Sequence, residues 1–102
     1  MPHILIVHES PTVRGDLTRA LLGEGFTVAE ADSVAAAARE IWAGNFDAAL
    51  VSNALPKVGG ATPEEHLRNL APELITVEIG KESASKLARK VAELLDGGAV
   101  AA

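Results

Sequence analysis

The chain has 102 residues, 48% of them hydrophobic, and its 9 basic and 14 acidic side chains leave a formal charge of −5. That length holds one compact domain and excludes two, and an acidic chain of ordinary apolar content has neither the basic footprint of a nucleic-acid binder nor the composition of a disordered segment. The absence of cysteine excludes disulfides, thiolate metal sites and cysteine nucleophiles.

The chain opens with "MPHILIVHES", whose apolar run is too short for a signal peptide core or a membrane span and has no basic flank. The expectation is a cytoplasmic protein with no membrane contact. "HILIV" (3–7) is the first strand; it is apolar on successive residues, as a strand covered on both faces is. Ser10 caps a helix that Pro11 begins, with Val13, Leu17, Ala20 and Leu21 on one face, and "GEG" stops it. "FTVAEA" (26–31) is the second strand. A second helix runs from Ser33 to Trp42, closed by Gly44 as a left-handed cap. "DAALV" (47–51) is the third strand. In "TPEEHLRNL", Thr62 caps, Pro63 takes the first position and Glu65 completes a capping box. "LITVEI" (74–79) is the fourth strand. "SASKLARKVAELLDGG" is the last helix, with Ala84, Leu87, Val91, Leu94 and Leu95 on one stripe and glycines after it.

This β-α alternation predicts an α/β domain over 1–98 with a frayed tail at 99–102. The right-handed crossover rule makes it a parallel sheet with helices on both faces. The expected strand order is 2-1-3-4, with the Ser33 and Thr62 helices on one face and the Pro11 helix on the other. The last helix belongs beside the Pro11 helix, because there its apolar stripe covers otherwise bare third and fourth strands.

The stretch "HILIVHESPTVRGDLTRALLGEGFTVAEADSVAAAARE" and the following "FDAALVSNALPKVGG" resemble, in element order, spacing and loops, the receiver domain of bacterial two-component response regulators. The resemblance covers roughly the first sixty residues, including the spacing of Pro56 and Gly60 after the third strand. It implies a flavodoxin-like doubly wound sheet with its site at the carboxyl ends of the strands. It also implies a site of known composition. Two acids after the first strand and a phospho-accepting aspartate after the third hold Mg²⁺, and a hydroxyl and a lysine from later strands contact the phosphoryl group. Those acids fall on His8 and Glu9, and the acceptor on Ser52. Only Glu9 keeps its type. An acyl phosphate needs a carboxylate nucleophile, and Mg²⁺ needs hard oxygen ligands, so neither Mg²⁺ nor any other cofactor is expected.

After Gly60 the family has two further strand-helix units, and this chain has 42 residues. One unit is missing. Either "GKESASKLARKVAELL" corresponds to the family's last unit, making Lys81 the family lysine, or the chain stops before the last strand. The first is favoured because it uses Lys81 and the apolar stripe, although Glu82 stands where the family has proline. Ile79 and Gly80 occupy the place of the family's hydroxyl in either alignment.

The resulting expectation is a phosphorylation-independent pseudo-receiver: a protein-protein interaction module of bacterial signalling, motility or localisation, with no enzymatic activity. The alternative is a receiver regulated by a small anion or by modification of Ser52. Lys81 is expected to pair with Glu9, with an anion in the degenerate pocket as the alternative. Loss of a unit leaves an uncovered edge, so a homodimer or an obligate protein partner is expected through the fourth strand and the last helix, with Leu87, Val91, Leu94 and Leu95 as candidate surface. His3, His8 and His66 match no metal-ligand spacing, and His8 and Glu9 would point to opposite faces if the strand continued. The loop with Ser10 and Thr12 reads as an ordinary helix cap, with anion binding as the alternative. Trp42, the sole tryptophan, reads as a rim residue of helix-sheet packing, with a partner anchor as the alternative. Lys86, Arg89 and Lys90 read as a solvated helix face.

Overall fold

Eight elements alternate along the chain: β1 (His3–Val7), α1 (Pro11–Gly23), β2 (Thr27–Ala31), α2 (Val34–Ala43), β3 (Ala48–Val51), α3 (Pro63–Leu70), β4 (Ile75–Glu78) and α4 (Ala84–Val100). The computed structural model describes the backbone of residues 2–100 and the side chains of residues 2–95. The strands form one parallel sheet in the order β2-β1-β3-β4. Residues 4–7 of β1 align with 28–31 of β2 and 48–51 of β3, and 48–51 align with 75–78 of β4.

Strand alternation sends the apolar side chains to two cores. Ile4, Ile6, Ala48, Leu50 and Val77 pack with Leu17 and Leu21 of α1 and with Leu87, Ala88 and Val91 of α4. Leu5, Val7, Ala31, Ala49 and Val51 pack with Val34 and Ala37 of α2 and Leu67 of α3. The last helix therefore lies beside α1, as its apolar stripe requires. Burying Leu87 and Val91 there contributes roughly 1.5–3 kcal/mol each.

Caps set the helix starts. Ser10 Oγ accepts from Val13 N–H at 3.4 Å, Ser33 Oγ from Ala36 N–H at 3.1 Å, and Ser83 Oγ from Lys86 N–H at 3.2 Å. At α3 the capping box is complete: Thr62 Oγ1 accepts from Glu65 N–H at 3.2 Å, and Glu65 Oε1 accepts from Thr62 N–H at 3.0 Å.

Four expectations are corrected. Gly44 is extended, at φ −148°, and its N–H closes α2 on Glu40 C=O. Gly97 and Gly98 lie within α4 and do not stop it; Ala101 and Ala102, the end of the expected tail, lie outside the described residues. Leu87 and Val91 are buried in the core and offer no contact surface, so of the proposed four only Leu94, 45% exposed, and half-buried Leu95 remain. Trp42 is 82% exposed and packs on no rim. The edge strand β4 is also less apolar than expected: toward the α3 side it presents Thr76, which donates to Glu64 Oε2 at 2.9 Å, and exposed Glu78.

Candidate functional site

The carboxyl ends of the central strands bring His8, Glu9 and Ser52 together. Beyond the regular ladder, Ser52 N–H donates to Val7 C=O at 2.9 Å, and Ile79 N–H donates to Val51 C=O at 2.8 Å. These bonds hold the residues that follow β1, β3 and β4 in one row. His8 N–H donates to Ala31 C=O at 3.1 Å, which fixes the first loop against β2.

Ser52 is 3% exposed and is, among the described residues, the one buried polar side chain. Its Oγ accepts from Ala54 N–H at 3.3 Å, and its C=O accepts from Leu55 N–H at 3.4 Å. Ser52 thus closes the turn by which β3 leaves the sheet, the local bond that serines favour. Asn53, which the sequence reading passed over, extends the arrangement by accepting Glu64 N–H on Oδ1 at 3.3 Å and so helps begin α3. The polar pair "SN" directly after an apolar strand was the available signal.

β1 ends at Val7, so strand alternation no longer governs the next two residues, and His8 and Glu9 are neighbours rather than opposed. His8 Nδ1 accepts from Ser10 N–H at 2.9 Å and lies 3.2 Å from Glu9 Oε1. One nitrogen cannot serve both at once. With its proton on Nε2 the ring accepts from Ser10 on Nδ1, and with a proton on Nδ1 it donates to Glu9. Arg14, another residue the sequence did not single out, donates from Nη1 to His8 C=O at 2.7 Å and from Nε to Glu30 Oε1 at 3.2 Å. It ties the loop to α1 and β2.

Glu9 is exposed. Its own backbone N–H holds the carboxyl below the usual glutamate range against partial desolvation, and the Ser52 hydroxyl and His8 add smaller lowering effects. A carboxylate so stabilised is a poor proton acceptor at neutral pH, where a general base works best with a pKa near the ambient value. The expected pairing of Lys81 with Glu9 is not formed: Lys81 is exposed, the side chain beside the Glu9 carboxylate is His8, and no ion pair of Lys81 occurs among the described residues.

The donor set does not fit Mg²⁺. Octahedral coordination by hard oxygens meets one carboxylate, one imidazole nitrogen and one hydroxyl committed to a backbone N–H. Among the described residues no three His, Cys, Asp or Glu side chains stand close enough together to hold a metal ion. His3 sits at the far end of β1, stacked on Phe46 at 4.4 Å with Nδ1 2.6 Å from Thr27 Oγ1, and His66 lies on α3. The helix-capping role of Ser10 accounts for that loop.

Comparison with known proteins agrees with the fold. The family model of the response regulator receiver domain matches residues 4–100. A CheY-like receiver domain from Methanospirillum hungatei has 18% sequence identity and a TM-score of 0.83, covering 100% of this chain and 99% of that one. A receiver domain from Clostridium thermocellum has 13% identity and a TM-score of 0.81, covering 100% of both chains. The response regulator TrrA from Thermotoga maritima, solved with Mg²⁺ and BeF, has 20% identity and a TM-score of 0.72, covering 92% of this chain and 99% of that one. No curated protein matches.

Proposed function

Because the chain belongs to the response regulator receiver domains, we propose that it is a receiver without phosphotransfer, a phosphorylation-independent pseudo-receiver that works as a fixed protein-binding platform in the cytoplasm. The observation that carries this reading is Ser52: where the family's acceptor carboxylate belongs stands a neutral hydroxyl, 3% exposed and bonded to Ala54 N–H. His8 in place of an acid and the poor basicity of Glu9 support it. Modification of Ser52 by another enzyme would require turning a core residue out to solvent, so burial favours the unswitched reading over that alternative.

The placement of α4 beside α1 supports the alignment in which β4 and α4 are the family's last unit and the missing unit is internal. Coverage of the solved receivers from end to end points the same way. Lys81 is then the family lysine, stranded beside a site with no phosphoryl group to meet. The solved complex of TrrA with the histidine kinase ThkA involves a protein of this fold and a protein partner. For the present chain we take the partner to be a protein as well, or a second copy, engaged through the side of the molecule formed by β4 and α4.

The test is incubation with Mg²⁺ and a small phosphoryl donor such as acetyl phosphate or phosphoramidate, followed by intact-mass measurement and Mg²⁺ titration. The expected result is no added phosphoryl mass and no saturable Mg²⁺ response. A hydroxylamine-labile adduct in this pocket would overturn the proposal.

A further inference from the structure

At the end of the sheet opposite Ser52, the C-terminal ends of α2 and α3 converge on a cleft of about 350 Å³. Ile41, Phe46, Leu70 and Leu74 give it apolar walls, and its one charged lining residue is Glu73. Trp42 stands beside it in the last turn of α2, 82% exposed. Two helix C-termini place partial negative charge there; Arg68 in the last turn of α3 offsets it in part, and α2 has no basic residue in its last turn. Glu73 and the unoffset end of α2 suit the cleft to an apolar anchor accompanied by a cation, with exposed Trp42 next in sequence to the lining residue Ile41.

The chain itself carries such a group on its other side. Lys86, Lys90 and Leu94 are exposed at four-residue spacing along α4, which aligns them on one helix flank. Buried Ala88 and half-buried Ala92 occupy the opposite flank. Lys90 is held only loosely, 3.9 Å from Glu82. Stripe and cleft lie on opposite faces of the sheet, so they cannot meet within one molecule.

We propose that the cleft beside Trp42 receives the Lys86, Lys90 and Leu94 stripe of a second copy, giving a head-to-tail contact. Such a contact is heterologous and propagates into a ring or a filament instead of stopping at a two-fold dimer. It rests on the reading of α4 as a contact face and not on the loss of phosphotransfer, so the phosphoryl-donor experiment neither supports nor damages it.

Sedimentation velocity over a concentration series, read together with Trp42 emission, tests the contact. Wild-type protein associates progressively, its tryptophan emission shifts to the blue as it does so, and salt weakens the association. Glu73→Lys and Lys90→Glu, both at exposed positions, each weaken it about tenfold or more. An equimolar mixture of the two variants associates again, because each contact then pairs opposite charges. Circular dichroism confirms that both variants are folded. A wild-type protein that stays monomeric at its highest soluble concentration overturns the proposal. So does association that ignores Glu73→Lys, as a two-fold contact through α4 alone would, or association that leaves Trp42 emission unchanged.

Discussion

At position 52 a carboxylate and a hydroxyl place opposite demands on the same pocket. Ser52 is tolerated in the core because it is neutral and accepts a backbone N–H. Ser52→Asp puts a charge there beside Glu9. Burial and the neighbouring carboxylate raise the introduced group's folded pKa above its unfolded value. The variant is then least penalised below the unfolded pKa, and its deficit grows as pH rises through the folded one. At pH 7 the loss should be on the order of 2–4 kcal/mol, measured by urea denaturation at pH 4 and pH 7. An equal loss at both values would show that packing, not charge, is responsible. His8→Asp with Ser52→Asp completes three carboxylates, so that variant should melt higher in Mg²⁺ than in chelator, while Ser52→Asp alone shows no such difference. The loss of the acceptor's residue type was legible in the sequence. The burial of Ser52, its bond to Ala54 and the approach of His8 to Glu9 were not, because they depend on β1 ending at Val7 and on a turn that no periodicity announces.

Element boundaries follow caps, and the legible ones were those with a side-chain signature. Ser10, Ser33 and the Thr62 and Glu65 box start their helices where the sequence places them. Gly44 misled because a glycine after a helix often turns left-handed, yet here it caps α2 at φ −148°. Thr62→Ala should lower stability by about 1 kcal/mol. The Thr62 N–H and hydroxyl hold the Glu65 carboxyl below its ordinary 4.5. A carboxyl with a depressed folded pKa contributes stability above its unfolded value and loses it as pH falls through the folded one. The acid limb of the stability curve, below about pH 4.5, should therefore flatten in Glu65→Gln. An unchanged limb would remove the capping box from the account. At the end of α1 two glycines differ: Gly25 has φ +91°, Gly23 lies within the helix, and an added Cβ meets nothing within 4 Å at either. Gly25→Ala should cost about 1–2 kcal/mol from backbone strain alone. Gly23→Ala should gain up to about 1 kcal/mol of helix propensity. Similar melting temperatures for the two variants would contradict this distinction.

For the molecule as a whole, strand order and the side taken by each helix were readable because burial leaves few choices. Successive apolar residues in β1 and β3 require cover on both faces, and α1 alone cannot cover β3 and β4. Trp42 was misread because exposure of a large aromatic depends on what packs beside the helix, and a helical period cannot supply that. The same arrangement makes stability uneven across the sheet. Residues 4–7 of β1 and all of β3 are buried and paired on both sides, whereas β2 and β4 are edges with Thr27, Glu30 and Glu78 exposed. Amides of the central pair open only when the domain unfolds, while edge amides also open locally. Native-state hydrogen exchange should therefore give Leu5, Ile6, Ala49 and Leu50 a common opening free energy equal to the global one measured by urea. Thr76 and Glu78, whose N–H groups face away from β3, should exchange orders of magnitude faster. If Thr76 and Glu78 are strongly protected in the isolated protein and become more so as concentration rises, the β4 edge is paired with another chain. Protection that is low at every concentration would exclude the strand edge as a contact between copies.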